Sequence, residues 1–240
     1  MNGRRGFLTA AAMSAISAEA AAAGEDDHGT IYIPERHRET DRGFLLDFLE
    51  KYSFAMVITA SPRIRITNVP TLLDRTGGGW GKLWWHLAKA NPQNEAMKGE
   101  AVVVFRGPHG YISPNWYEAN SAVPTWNFAV VHVTGRPKRI DDDRALAAGL
   151  RRLVEKNETV YGGGTRWSFD KLPESYLKGM RQGIVPYEMT IDQVEAKFKL
   201  GQDRSAADRE GMLEGLGKGP REPNLLELSR AYFARAKRSL

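Results

Sequence analysis

The stretch WNFAVVHVTG at residues 126–135 is the longest strand candidate in the chain and decides its fold class. Two series of side chains alternate along it, and one of them runs Asn127, Ala129, Val131 and Val133. Alternation with a period of two is typical of a β-strand, and branched residues such as valine are frequent in strands. We therefore predict a long β-strand here and a sheet around it.

Segments on both sides of this strand extend the pattern. Further strands are predicted over 54–60, 64–69, 101–105, 184–191 and 194–200, with 110–113 as a hairpin return. Helices are predicted over 41–51, 82–90, 141–156, 173–181, 205–216 and 224–238. Because the helices do not alternate strictly with the strands, a doubly wound sheet is disfavoured. The pattern predicts a mainly β fold with peripheral helices (α+β), built on a small antiparallel barrel.

Composition excludes several functional classes. The 240 residues include no cysteine, which removes disulfides, thiolate metal sites and cysteine nucleophiles. The net charge of +5 is mild, and its basic residues are mixed with acidic ones, so nucleic-acid binding is not favoured. No HExxH or Gly-x-Ser-x-Gly motif occurs, and the loop TGGGWGKL at 76–83 lacks the Ser/Thr of a phosphate loop. No metal site and no catalytic residue is predicted.

Residues 1–23 are predicted to be an export signal. Arg4 and Arg5 precede a short apolar run and an alanine-rich stretch that offers an Ala-x-Ala cleavage site. Adjacent arginines followed by Gly-Phe-Leu resemble a twin-arginine signal. The apolar run is shorter than the roughly 20 residues that a membrane span needs. We expect export, with cytoplasmic residence as the alternative, a main domain over 24–216 and a helical extension over 217–240.

Aromatic residues cluster in the middle of the chain. Five of the six tryptophans lie within residues 80–126. Side chains with strong hydrogen-bonding capacity lie between and beside them: His86, Asn91, His109, Ser113, Asn115, Thr125 and Asn127. Aromatic faces next to amide and hydroxyl groups can stack on a planar ring and bind its edge. The cluster therefore indicates a flat ligand with polar edges, without identifying it.

Six phrases follow one another between about residues 30 and 216. They are YIP (32–34), TNVPTLL (67–73), HLAKANP (86–92), FRGPHGYISPNWY (105–117), VPTWNF (123–128) and KFKLGQDR (197–204). In this order and spacing they resemble the PaiB-type family of FMN-binding proteins, whose members are known as negative transcriptional regulators. The resemblance implies an FMN-binding split β-barrel, usually a homodimer with the flavin at the subunit interface.

The resemblance also implies candidate cofactor-binding residues. The candidates for the flavin phosphate, where a charge-assisted bond favours basic side chains beside hydroxyl groups, are Arg65, Thr67, Lys197 and Lys199. The candidates that would pack on and hydrogen-bond the isoalloxazine ring are Trp126 and Asn127. Membership of the motifs alone adds His86, Asn91, Ser113 and Gln202.

Inside these motifs the chain departs from the family at four positions. The usual His, Gly, Ser and Asn are replaced by Asn68, Trp85, Gly201 and Asp203. The regulatory role also conflicts with the leader, because a repressor meets DNA in the cytoplasm.

Three hypotheses follow. The first is an exported FMN flavoprotein acting as an oxidoreductase, and the second is an FMN-binding regulator without enzymatic activity. The third is a haem-binding barrel with one of three histidines as the iron ligand: His86, His109 or His132.

Overall fold

Nine antiparallel strands are found in the residues that the structure describes. The structure is a computed structural model, and it describes residues 29–76, 78–118, 122–164, 166–218 and 224–236. The strands are β1 (Phe54–Thr59), β2 (Arg65–Pro70), β3 (Leu72–Asp74), β4 (Lys82–Ala88), β5 (Ala101–Ile112), β6 (Thr125–Gly135), β7 (Pro137–Arg139), β8 (Ile184–Thr190) and β9 (Gln193–Lys199). Sheet A has the order β2-β1-β5-β6-β9, and sheet B has the order β3-β4-β8-β7.

Five helices surround the sheets in the same described ranges. They are α1 (Arg42–Lys51), α2 (Asp143–Tyr161), α3 (Glu174–Arg181), α4 (Ala206–Lys218) and α5 (Leu225–Ala236). The chain divides into two units, residues 1–32 and residues 33–240, and all these elements belong to the second unit. The predicted leader at 1–23 lies outside the described residues. In the part of the chain described, no helix is long and apolar enough to cross a bilayer.

One hydrophobic core joins the two sheets. Val57, Val103 and Val131 from sheet A pack in the same buried cluster as Leu83 and Met189 from sheet B. The alternation in residues 126–135 explains this for β6, because every second side chain points into the cluster. The expected mainly β fold with peripheral helices is confirmed.

The helix predicted over 82–90 is wrong, because Lys82–Ala88 is strand β4. Leu83 and Trp85 point into the main core, while Trp84 on the opposite face packs with Leu146 and Leu153 of α2. A strand that is buried on both faces has no polar alternation to reveal it.

The hairpin return predicted over 110–113 is also wrong, since β5 continues to Ile112. The pairing of β5 with β6 shifts between Arg106 and His109, which is a β-bulge that accommodates Pro108. Gly107 lies in this bulge, where an added Cβ would come within 2.6 Å of the Phe48 ring. Glycine therefore lets α1 pack closely against the bulge.

The C-terminal helix α5 is part of the same packing. Its Leu225 and Leu228 are buried in the main core. Arg235 forms ion pairs with Glu39 and, at 3.1 Å, with Asp41, the residue that caps α1. Helix α5 is thus held against the start of α1 by these ion pairs.

Candidate functional site

One side of sheet A points away from the main core, and we call it the outer face of sheet A. Its central residues are Met56, Ile58, Val102, Val104, Arg106, Phe128, Val130, His132 and Lys197. Large apolar side chains at its ends are strongly exposed, with 56% of Ile66, 48% of Tyr111 and 53% of Trp126 accessible. An antiparallel sheet face in water is normally polar. An apolar face of this kind indicates a ligand or a protein partner.

A groove of about 320 Å³ crosses the outer face of sheet A. Its floor is apolar and includes Met56, Val104 and Val130. Trp126 stands at one end with its ring stacked on His109, the ring centroids being 6.2 Å apart at an angle of 25°. The Arg106 guanidinium donates to His109 Nε2 at 2.7 Å. The groove therefore combines flat aromatic surface, an apolar floor and a cationic donor, which suits a planar ring with polar edges.

Two lysines of β9 adjoin this groove. Lys197 Nζ lies 5.8 Å from the centre of the Phe128 ring, and Lys199 Nζ donates to Thr125 Oγ1. Burial lowers the pKa of both lysines, and the positive charge of Lys199 lowers the pKa of Lys197 further. A bound anion would favour the charged form of both ammonium groups. The groove thus ends at a place suited to a phosphate.

The segment Glu35–Glu39 lies beside these lysines. Arg38 forms a β-bridge with Lys197, and the Glu39 amide donates to the Ala196 carbonyl at 3.1 Å. His37 is only 4% exposed, and its Nδ1 has no hydrogen-bond partner in the described ranges. Burial and the nearby Arg36 charge lower its pKa. Sequence reasoning missed this segment, because a three-residue turn carries no periodic pattern.

Gln202 fixes the position of that segment. Its Nε2 donates to the Arg36 carbonyl at 2.9 Å, and its Oε1 accepts from the Leu200 amide at 2.9 Å. Both ends of the side-chain amide are therefore engaged by the backbone. Gln202 connects the end of β9 to the turn that carries Arg36.

A second group of candidates lies on the opposite, inward face of sheet A. Thr67 of β2 pairs with Val57 of the core, and its Oγ1 accepts from Asn91 Nδ2 at 3.0 Å. Gln93 Nε2 donates to the Arg65 carbonyl at 3.1 Å. In the described part of the chain the Arg65 guanidinium has no ion-pair partner. We call Arg65, Thr67 and Asn91 the β2 cluster; it offers a cation beside a hydroxyl, away from the groove.

Three further candidates lie elsewhere. Ser113 Oγ accepts from the Asn115 amide at 3.2 Å and caps a short 3₁₀ turn at Pro114–Trp116. Asn127 is 2% exposed and its Nδ2 donates to Met212 Sδ at 3.1 Å, so it faces α4 and not the groove. His86 lies on the outer side of sheet B. Of the ten candidates, Trp126 lines the groove, and Lys197 and Lys199 lie next to Phe128 at its edge.

The four departures from the family pattern have different surroundings. Trp85 is fully buried and stacks on Tyr187, with ring centroids 6.0 Å apart, so it serves the core. Gly201 has φ +82°, a conformation that glycine adopts without strain. Asn68 of β2 is exposed and pairs with Met56 of β1. The Asp203 carboxylate lies 3.8 Å from the Arg36 guanidinium. Asp203 thus reduces the positive charge next to the β9 lysines.

Comparison with known proteins identifies the family. A family model described as "Putative FMN-binding domain" matches residues 31–193. The chain belongs to the PaiB-type family of FMN-binding proteins. It is 29% identical over 213 residues to the Bacillus subtilis protein named protease synthase and sporulation protein PAI 2, covering 88% of this chain and 100% of that one. An uncharacterised Aspergillus fumigatus protein is 27% identical over 78% of this chain and 91% of its own.

Solved structures agree on the fold. The flavocytochrome Anf3 of Azotobacter vinelandii superposes with a TM-score of 0.52 at 18% identity, over 67% of this chain and 68% of that chain. A protein of Bacteroides thetaiotaomicron, described as a putative 5-nitroimidazole antibiotic resistance protein, superposes with a TM-score of 0.50 at 10% identity, over 67% and 85%. Such low identities support the fold alone.

FMN is the cofactor of this PaiB-type domain, as the resemblance implied. The residues present fit it: the groove supplies aromatic surface for the ring, and the β9 lysines supply cations for the phosphate. The predicted FMN-binding split barrel is confirmed at the level of family and fold.

Proposed function

We propose that this protein is an exported, homodimeric FMN flavoprotein that acts as an oxidoreductase, with its flavin on the outer face of sheet A. The observation that carries the proposal is the groove itself. Trp126 is half exposed at one end of the groove and stacks on His109, which accepts a hydrogen bond from Arg106. The two β9 lysines lie next to the groove. Aromatic surface, edge donors and phosphate-binding charge are the three things that FMN requires of a protein.

The roles of the side chains follow from their positions. Trp126 and Phe128 would pack against the flat ring and exclude water from one side of it. Arg106, oriented by His109, would donate to the polar edge of the ring, and Lys197 and Lys199 would bind the phosphate. When bound, the flavin supplies the electron-transfer chemistry.

A second copy of the chain completes this arrangement in our proposal. The exposed apolar residues Ile66, Tyr111 and Trp126 would be costly to leave in water. We therefore assign the outer face of sheet A to both the flavin and the dimer contact.

Export is supported by the leader alone. Arg4 and Arg5 stand directly before the apolar run, as a twin-arginine signal requires. The double substitution Arg4→Lys with Arg5→Lys keeps the charge and should leave an uncleaved product in the cytoplasm. Efficient export of the double variant would contradict this route.

The function is tested on purified protein loaded with FMN. We expect a flavin absorption spectrum, a dimer in solution, and oxidation of a reduced nicotinamide with an artificial electron acceptor faster than with free FMN. Turnover no faster than that of free FMN would contradict the enzymatic part. A haem spectrum in place of the flavin spectrum would contradict the cofactor assignment of the groove.

A further inference from the structure

A second cavity, of about 390 Å³, lies on the outer side of sheet B. It is lined by residues of β4, β8, α2, α3 and the segment between the two helices. Aliphatic side chains form much of its wall: Leu150, Leu172, Leu177, Met180 and Ile184. We call it the sheet B cavity. Its volume is within the usual range of small-molecule sites, about 300–1,000 Å³.

Aromatic residues line the same cavity and remain partly open to solvent. Trp167 and Phe169 pack edge to face with ring centroids 5.0 Å apart. Trp167 is 37% exposed, Tyr176 is 56% exposed and Met180 is 59% exposed. Large apolar side chains exposed around one opening are typical of a ligand entrance.

His86 brings a hydrogen-bonding group to this otherwise apolar wall. Its Nδ1 is buried and has no hydrogen-bond partner among the residues the structure describes. Burial alone lowers the pKa of this imidazole, so the ring is neutral near pH 7. A neutral imidazole nitrogen can donate or accept one hydrogen bond, and a buried nitrogen without a partner is unfavourable.

The two arginines that line the cavity are already paired with carboxylates in or near it. Arg151 Nη1 donates to Asp170 at 3.0 Å. Arg181 donates to Asp143 at 3.0 Å and to Glu174 at 2.7 Å. Since these ion pairs neutralise the arginines, the cavity favours an uncharged ligand over an anion.

We propose that the sheet B cavity binds an uncharged aromatic molecule carrying one hydroxyl or carbonyl group, which hydrogen-bonds to the His86 imidazole. The ring would lie against Trp167, Phe169 and Leu177. This site is separate from the groove on sheet A, and the inference does not depend on where FMN binds.

Calorimetric titration of the FMN-loaded protein with three probes tests the inference. We expect 1-naphthol to bind, and naphthalene to bind about tenfold more weakly because it lacks the hydroxyl. 1-Naphthoate should bind more weakly than 1-naphthol, since a carboxylate loses its solvation in an apolar cavity. No binding of 1-naphthol, or equal binding of all three probes, would overturn the proposal.

Two pairs of variants locate the site. His86→Leu should reduce the affinity for 1-naphthol to that for naphthalene, whereas His86→Gln should keep most of the difference. Ala147→Phe fills the cavity and should abolish binding, while Ala148→Phe, on the exposed side of the same helix, should not. If Ala147→Phe has no effect, or if added FMN displaces 1-naphthol, the cavity is not the separate site proposed here. Neither result would change the expected flavin spectrum.

Discussion

Both sheets have an apolar outer face, but in the described part of the chain a helix covers only that of sheet B. On sheet B, Trp84 and Leu72 are buried under Leu146 and Leu153 of α2. On the outer face of sheet A, Trp126 remains 53% exposed although it belongs to the longest shared ladder, between β5 and β6. Trp84 thus contributes to the packing of the fold, whereas we propose that the exposed Trp126 contacts a ligand.

The packing under α2 is close enough to show this role directly. An added Cβ at Gly149 would approach the Trp84 ring to 2.4 Å, so helix and indole are in direct contact. No equivalent helix covers the groove of sheet A in the described residues. We propose that a flavin and a second chain cover the apolar area of sheet A.

The largest expected effect separates the two tryptophans by stability. Trp84→Ala should lower the free energy of unfolding by about 3–5 kcal/mol, because it leaves a cavity in a packed core. Trp126→Ala should lower that of the FMN-free protein by less than about 1 kcal/mol, because the ring is half exposed. Urea unfolding of both variants measures the difference. Equal losses of unfolding free energy would contradict the different roles assigned to the two tryptophans.

The next effect concerns the phosphate end of the groove. Replacing Lys197 and Lys199 together by Gln should weaken FMN binding roughly 10- to 100-fold, since a hydrogen bond to a charged group contributes about 1.5–3 kcal/mol. Riboflavin, which has no phosphate, should bind nearly as before. Lys138→Gln, at a solvent-exposed lysine of sheet B, is the control and should change neither affinity. An equal loss for FMN and riboflavin would remove the lysines from the phosphate site.

A smaller effect concerns the ring. Trp126→Ala should weaken FMN and riboflavin alike, by roughly tenfold, because aromatic pairing contributes about 0.5–1.5 kcal/mol beyond the area buried. Trp167→Ala, in the sheet B cavity, is the matched control and should leave both affinities unchanged. Fluorescence titration of the free flavin measures both. A larger effect of Trp167→Ala would indicate that the flavin binds in the sheet B cavity and would contradict its assignment to sheet A.

The smallest effect is a pH dependence of stability. Burial lowers the pKa of His86 below 6.5, so the folded state binds fewer protons than the unfolded state just under that pH. The stabilisation is complete above pH 6.5 and is lost as the pH falls through the folded-state pKa. His86→Gln should make the urea midpoint depend less on pH in this range. A midpoint of the variant that falls as steeply as that of the parent would exclude His86 as a contributor.

The sequence predicts the parts of this fold that have a one-sided pattern. Residues 126–135 alternate because one series enters the core, and the strand was found in this way. Strand β4 was missed because Trp84 and Trp85 are buried on opposite faces, so nothing distinguished them. The core at Trp84 depends on α2, which comes some 60 residues later in the chain. A local sequence pattern therefore cannot predict this contact.

The site was predictable only as a set of residue types. Trp126 and the β9 lysines could be named from motifs, but the separation of the β2 cluster from the groove is a matter of strand register. Gln202 and Ser113 belong to the motifs, yet both bind backbone groups nearby. His37 had no motif at all, because its burial arises from the pairing of its segment with β9.

The most direct test of the account is a crystal structure of the protein grown with FMN. We predict the flavin ring in the groove beside Trp126 and His109, its phosphate near Lys197 and Lys199, and a second copy of the chain on the outer face of sheet A. FMN bound in the sheet B cavity, or a groove open to solvent in the complex, would contradict the account.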